Sequence, residues 1–73
     1  MTKGDKIEII HEGRIIDGIV LMASGNGLSL MIAFDAMITG HLGMMPVTMR
    51  DAVSGFSIID GTEIMIKMKG ALQ

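Results

Sequence analysis

Lys6-Ile7-Glu8-Ile9-Ile10-His11-Glu12-Gly13-Arg14-Ile15-Ile16-Asp17-Gly18-Ile19-Val20 is the stretch from which the fold is read. Isoleucine dominates it, and β-branched side chains, stiff at χ1, suit a pleated surface better than a helix. Glu12-Gly13 has the length of a two-residue hairpin loop, with glycine free to take positive φ. Pairing His11 with Arg14 sets Ile9 opposite Ile16 and Ile7 opposite Gly18. One face of this hairpin is therefore apolar, and its other face carries Glu8 opposite Asp17. Like charges facing each other cost a little.

Working outward, Ser24-Gly25-Asn26-Gly27 supplies the next turn. A three-residue loop at Gly25-Asn26-Gly27, with Gly27 left-handed at a bulge, pairs Ser24 with Leu28. Met22 then faces Leu30, Val20 faces Ile32 and Gly18 faces Phe34. The core face predicted this way collects Ile7, Ile9, Ile16, Val20, Met22, Leu28, Leu30, Ile32 and Phe34. The remaining apolar runs extend the pattern to strands at about 6–11, 14–23, 28–35, 44–50, 56–59 and 62–69. No window carries a 3.6-residue apolar stripe. The one helical expectation is a single turn at 35–39, started by Asp35 and ended by Gly40.

The chain has 73 residues, a length suited to one small domain covering 1–73. It is 49% apolar, which excludes a disordered chain, and it has no cysteine, which excludes a disulfide scaffold and a cysteine-based zinc site. The longest apolar run, 19–23, is far short of the ~20 residues of a membrane helix. No apolar segment follows the N-terminal residues as it does in a signal peptide. A cytoplasmic protein is the expectation. These features predict an all-β fold, a small antiparallel barrel or roll of five to six strands. The opening hairpin, with Gly18 inside its second strand, resembles the start of SH3-like barrels, where a glycine lets that strand bend into both halves of the sheet. An open roll that closes only on dimerisation is the alternative.

Chemistry-bearing motifs are sparse. Serines 24, 29, 54 and 57 lack a nucleophile elbow, and no Walker or dinucleotide pattern occurs. No catalytic, cofactor-binding or metal-binding residue is therefore assigned, and no cofactor is expected. His11, beside a hairpin turn, is expected to face solvent. His41 lies in Gly40-His41-Leu42-Gly43, read here as the longest irregular segment, and is the one loop candidate for a site. That segment has the GxxG form of the KH-domain clamp, but it lacks the basic neighbours and flanking helices of that clamp. Asp60-Gly61 reads as a turn between the last two strands. Nine methionines make the chain methionine-rich. Met22, Met45, Met49 and Met68 are expected to fill the core, and Met31, Met44 and Met65 to make contacts. Phe34 and Phe56 are both assigned to the interior.

A solvated antiparallel face normally alternates to polar residues. By the pairing above, Ile10 faces Ile15, Leu21 faces Met31 and Ile19 faces Ala33 on the outer side. Contiguous apolar patches of this kind mark interaction surfaces. The expected function is a small non-enzymatic binding or accessory module that self-associates through Ile10, Ile15, Ile19, Leu21 and Met31; a further protein partner is left unidentified. The alternative is a small enzyme whose site forms at the centre of a homo-oligomer, as in the plasmid-type dihydrofolate reductases, which are small SH3-like barrels. Neither a nucleic acid nor a membrane is an expected partner. The net charge is −2, the chain has no Trp or Tyr, and its six basic residues never form a run. In a salt titration, no complex with duplex or single-stranded nucleic acid tighter than about 1 μM is expected at ~0.15 M salt. A tighter, steeply salt-dependent complex would contradict the charge argument.

Overall fold

The structure, a computed structural model, describes residues 1–69. Six strands follow one another along the chain: β1 (Lys6–His11), β2 (Arg14–Ala23), β3 (Ser29–Ile38), β4 (His41–Met49), β5 (Ser54–Ser57) and β6 (Glu63–Met68). Each pairs antiparallel with its neighbours in sequence, and β6 returns to β1 to close a barrel. The protein is all-β, with no helix among the described residues. Closure takes place within a single chain through Ile7 opposite Met68 and Ile9 opposite Ile66, so the open-roll alternative does not hold.

The first hairpin has the expected register from His11–Arg14 to Ile7–Gly18. Glu12 and Gly13 both take positive φ, at 50° and 79°, which gives the twist that a tight two-residue hairpin needs. Glu8 does face Asp17, but Lys67 stands opposite Glu8 on the other side, and Lys69 Nζ lies 2.9 Å from Asp17 Oδ1. The like charges are thus flanked by cations.

The second hairpin departs from expectation by one residue. Gly18–Phe34 and Val20–Ile32 pair as predicted, but a bulge at Leu21 then sets Met22 opposite Met31 and Ala23 opposite Leu30. The Ser24 N–H donates to the Ser29 carbonyl at 2.9 Å, so the turn takes four residues, not three. Asn26 explains the longer loop, because its Oδ1 accepts from Leu28 N and from the Ser24 hydroxyl. The extra residue turns Met22 outward, and Leu28 is left exposed in the loop, so neither joins the core.

The expected helical turn at 35–39 is absent, because β3 continues to Ile38. Phe34, Asp35 and Ala36 bend past the single residue Gly43, after which Met37 pairs with Leu42 and Ile38 with His41. Thr39-Gly40 closes this hairpin, again with positive φ at both positions, 41° and 89°. β5 also differs from expectation, spanning Ser54–Ser57, not 56–59.

The core is Ile7, Ile9, Ile16, Val20, Leu30, Ile32, Phe34, Ile38, Met45, Val47, Met49, Ile64 and Ile66. Met45 and Met49 fill it as expected, whereas Met22 and Met68 are exposed, the latter at the barrel rim beyond Ile66. Phe56 is not interior. A Cβ on Gly55 would meet Met49 Sδ and Val47 Cγ1 at 2.8 Å, so glycine occupies the inward position beside it. Phe56 points outward instead, and the Arg50 guanidinium lies 4.5 Å from its ring centroid.

Gly18 is a second place where two elements come too close for a side chain. A Cβ there would lie 2.7 Å from the Ala33 carbonyl oxygen and 2.9 Å from Ile9 Cδ1. The nearer atom is backbone and cannot swing aside. Gly18→Ala is expected to destabilise the barrel by about 1–3 kcal/mol, read as a lower midpoint in urea. An unchanged midpoint would show that β2 and β3 do not approach this closely.

Candidate functional site: a histidine–aspartate pair at one end of the barrel

In a meander, alternate turns fall at the same end. The turns at Glu12-Gly13, Thr39-Gly40 and Ile58–Gly61 therefore share one end of the barrel, and the Ser24–Leu28 and Arg50–Val53 turns share the other. Both histidines lie at the first end. His41 is not in an irregular loop: it is the first residue of β4, paired with Ile38. Its side chain is largely buried, and Nε2 lies 3.1 Å from Asp60 Oδ2. A carboxylate can only accept, so Nε2 carries the proton.

Asp60 is fixed from two sides. Its Oδ1 accepts from Thr62 N at 3.0 Å, which locks the β5–β6 turn in an Asx-type bond, while Oδ2 takes the histidine. The Thr62 N–H, then the Thr62 hydroxyl, then His41 hold its carboxyl well below the usual range, from 3.8 down to about 2. Beside the pair, Thr39 Oγ1 and Thr62 Oγ1 are 2.6 Å apart. Thr39 is a β-branched residue at positive φ, a conformation that costs energy and persists where surrounding contacts fix it. The Thr39–Thr62 and His41–Asp60 contacts bind the β3–β4 and β5–β6 turns into one rigid unit.

His11 is buried, at 7% exposure, not solvent-facing as expected. Alternation along β1 puts Ile7, Ile9 and His11 on the same inward face. Its Nδ1 has no hydrogen-bond partner among the described residues, and Nε2 lies 4.0 Å from Glu12 Oε2. An unpaired buried polar atom of this kind costs about 1–3 kcal/mol. His11, Thr39 and Thr62 line an open groove of about 640 Å³ that runs over Ile10 and Met65 toward Ser54. Among the described residues, no three His, Cys, Asp or Glu side chains are grouped to hold a metal ion.

On the barrel's outer wall, Ile10 is half-buried between Ile15 and Met65. Ile19 forms a row with Ala33 and Met44, and Met31 lies between Met22 and Pro46. Leu21 sits half-buried at the bulge. Asp17 separates Ile15 from Ile19 along the outer face of β2. The outer apolar residues thus fall into two patches, a smaller one at Ile10–Ile15–Met65 and a larger one across β2, β3 and β4.

Sequence reading located the Asp60-Gly61 turn but missed its contact with His41. The available signal was topological: counting turns in a six-strand meander already places 39–40 and 58–61 at one end. This fold and site define a small closed antiparallel barrel with a polar cluster at one end. Comparison with protein families, with curated proteins and with solved structures finds no match for the chain.

The carboxyl of Asp60 is depressed in the folded state, so its stabilisation is present above pH 3.8 and is lost as pH falls toward about 2. Asp60→Asn is expected to flatten that part of the acid-unfolding curve while lowering stability near neutrality. An acid limb identical to wild type would show that Asp60 is not held as described.

Proposed function

We propose that the protein is a small non-enzymatic binding module that self-associates through the outer face of β2, β3 and β4. The observation that carries this reading is the uncharged row Ile19–Ala33–Met44, with Met22, Met31 and Pro46 beside it, on a wall that would otherwise be wet. Nothing in the barrel's own packing requires these side chains, because the core is complete on the opposite face. β2 and β3 are paired on both sides across this patch, so a partner there packs side chain against side chain. Lys6, opposite Ile19, and Asp35, two residues beyond Ala33, give the patch borders of both signs, and a two-fold axis can set each against the other. Burying ~400–600 Å² of apolar surface per chain contributes roughly 10 kcal/mol at ~25 cal/mol/Å² before association costs.

The second reading, an enzyme completed by an oligomer, is favoured by the His41–Asp60 pair alone. An oriented imidazole is half of an acid–base device, and a nucleophile or substrate anchor would have to come from a neighbouring copy. Native mass spectrometry separates the two readings: a reproducible co-purifying metabolite supports the enzyme, and its absence supports the module.

Sedimentation equilibrium tests the assembly. Wild type is expected to be oligomeric at ~100 μM, and Ile19→Lys with Met44→Lys to dissociate it at least tenfold more readily while remaining folded. Both residues are exposed, so the fold tolerates the change. Unaltered association of the double variant would remove the face from consideration.

A further inference from the structure

The ladder between β1 and β6 stops short of one end of the barrel. Ile10 pairs with Met65, but the next positions, His11 with Ile64 and Glu12 with Glu63, form no pair, so the two strands part there. The groove of about 640 Å³ opens at this parting. His11 and Glu12 line it from the β1 side, Glu63 and Met65 from β6, and Thr39 and Thr62 from the turns.

Its side chains present mostly acceptors. His11 Nδ1 is the one buried side-chain nitrogen or oxygen without a hydrogen-bond partner among the described residues. In the neutral ring, Nε2 faces the Glu12 carboxylate, which only accepts, so the proton belongs on Nε2 and Nδ1 keeps a bare lone pair. What His11 lacks is therefore a donor. Nδ1 is closed off from water, and a turn of the imidazole about Cβ–Cγ, a broad torsion, brings it to a donor in the groove. The Thr39 and Thr62 hydroxyls, 2.6 Å apart, use one proton between them and leave one free.

The charge points the same way. Glu12 and Glu63 both border the groove, and no described lysine or arginine lines it. Arg50 reaches Glu63 from outside, at 2.7 Å, and Arg14 is turned to the Met37 carbonyl. Glu12 thus keeps its charge available to a cation. The described residues do not group three metal-ligating side chains here, so the cation is an organic one. Ile10 and Met65 supply an apolar wall beside the polar groups. A wall of that kind suits a hydrocarbon chain carrying the charge.

We infer that this groove binds a primary ammonium group on a short aliphatic chain, the ammonium held by Glu12 and His11 and the chain lying on Ile10 and Met65. Aliphatic amines are protonated near neutrality and donate three hydrogen bonds, and bonds to a carboxylate are the strong ones. The groove lies on β1 and β6, away from the β2–β4 face, so this site is independent of the assembly proposed above. Being open, it exchanges its ligand freely and is read by titration.

Isothermal titration calorimetry at neutral pH compares n-pentylammonium, n-pentanol and hexanoate, which share an apolar chain and differ in charge. The ammonium is expected to bind saturably, and the other two about tenfold more weakly or worse. Glu12→Gln, an exposed turn position, is expected to weaken it to a similar degree, and Asp35→Asn, outside the groove, to leave it unchanged. In nitrogen-15 spectra of wild type, the His11 Nδ1 resonance is expected to move as the site fills. Nα-acetyl-lysinamide distinguishes the source: affinity equal to that of n-pentylammonium assigns a protein's lysine side chain, and much weaker affinity assigns a free amine. Equal affinity for the three chain probes, failure to saturate, unchanged binding by Glu12→Gln, equal loss in Asp35→Asn, or a stationary Nδ1 resonance would each overturn the inference.

Discussion

The ladder between β1 and β6 is the interaction on which the rest of the barrel depends. Four residue pairs, from Ile7–Met68 to Ile10–Met65, turn a five-turn meander into a closed wall. Without them the inward residues of β1 would have a sheet on one side and water on the other. With them, Ile7, Ile9 and Ile66 are fully buried in a chain with no disulfide, no metal group among its described residues and little other core to spare. A chain this short buries only about 60% of its unfolded surface, so complete enclosure of its few large side chains is what sustains it. Gly18 and Gly55 belong to the same economy, since each removes a side chain where two strands or a strand and its core approach within van der Waals limits.

The polar cluster at one end follows from that geometry. A closed meander delivers its turns alternately to the two ends, and the turns at one end bring Thr39 and His41 against Thr62 and Asp60, 23 and 19 residues away in sequence. The other end receives the remaining two connections and the N-terminal residues, where Gly4 N and Val20 N exchange bonds with the Val20 and Asp5 carbonyls. One end is thus tied by side-chain contacts between turns, the other by backbone bonds to the N-terminal residues.

The all-β class, six strands and the first hairpin's register were legible because isoleucine alternation and a glycine turn point to the same answer. The one-residue slip in the second hairpin was not. Asn26 can close a loop of three or four residues, and a bulge at Leu21 absorbs the difference while leaving Val20–Ile32 in place. Alternation along β1 already put His11 on the inward face with Ile7 and Ile9, but its polarity and nearness to a turn favoured solvent, and the fold overrode that local preference. The extension of β3 through Asp35 was hidden because an acidic residue before Ala36-Met37-Ile38-Thr39-Gly40 has the composition of a capped helical turn. The His41–Asp60 contact was out of reach of periodicity arguments, being set by how far two turns lean toward each other.

Closure by the last strand has a kinetic side. Every strand pairing up to β5 joins neighbours in sequence, and such local pairings form early and cheaply. The β1–β6 ladder spans nearly the whole chain, and loop-closure entropy must be met before it contributes anything. Until then both β1 and β5 present open backbone edges beside uncovered isoleucine, the species most prone to pair with another chain. Docking of β6 on β1 is therefore the event that ends the exposure, and it covers both edges at once.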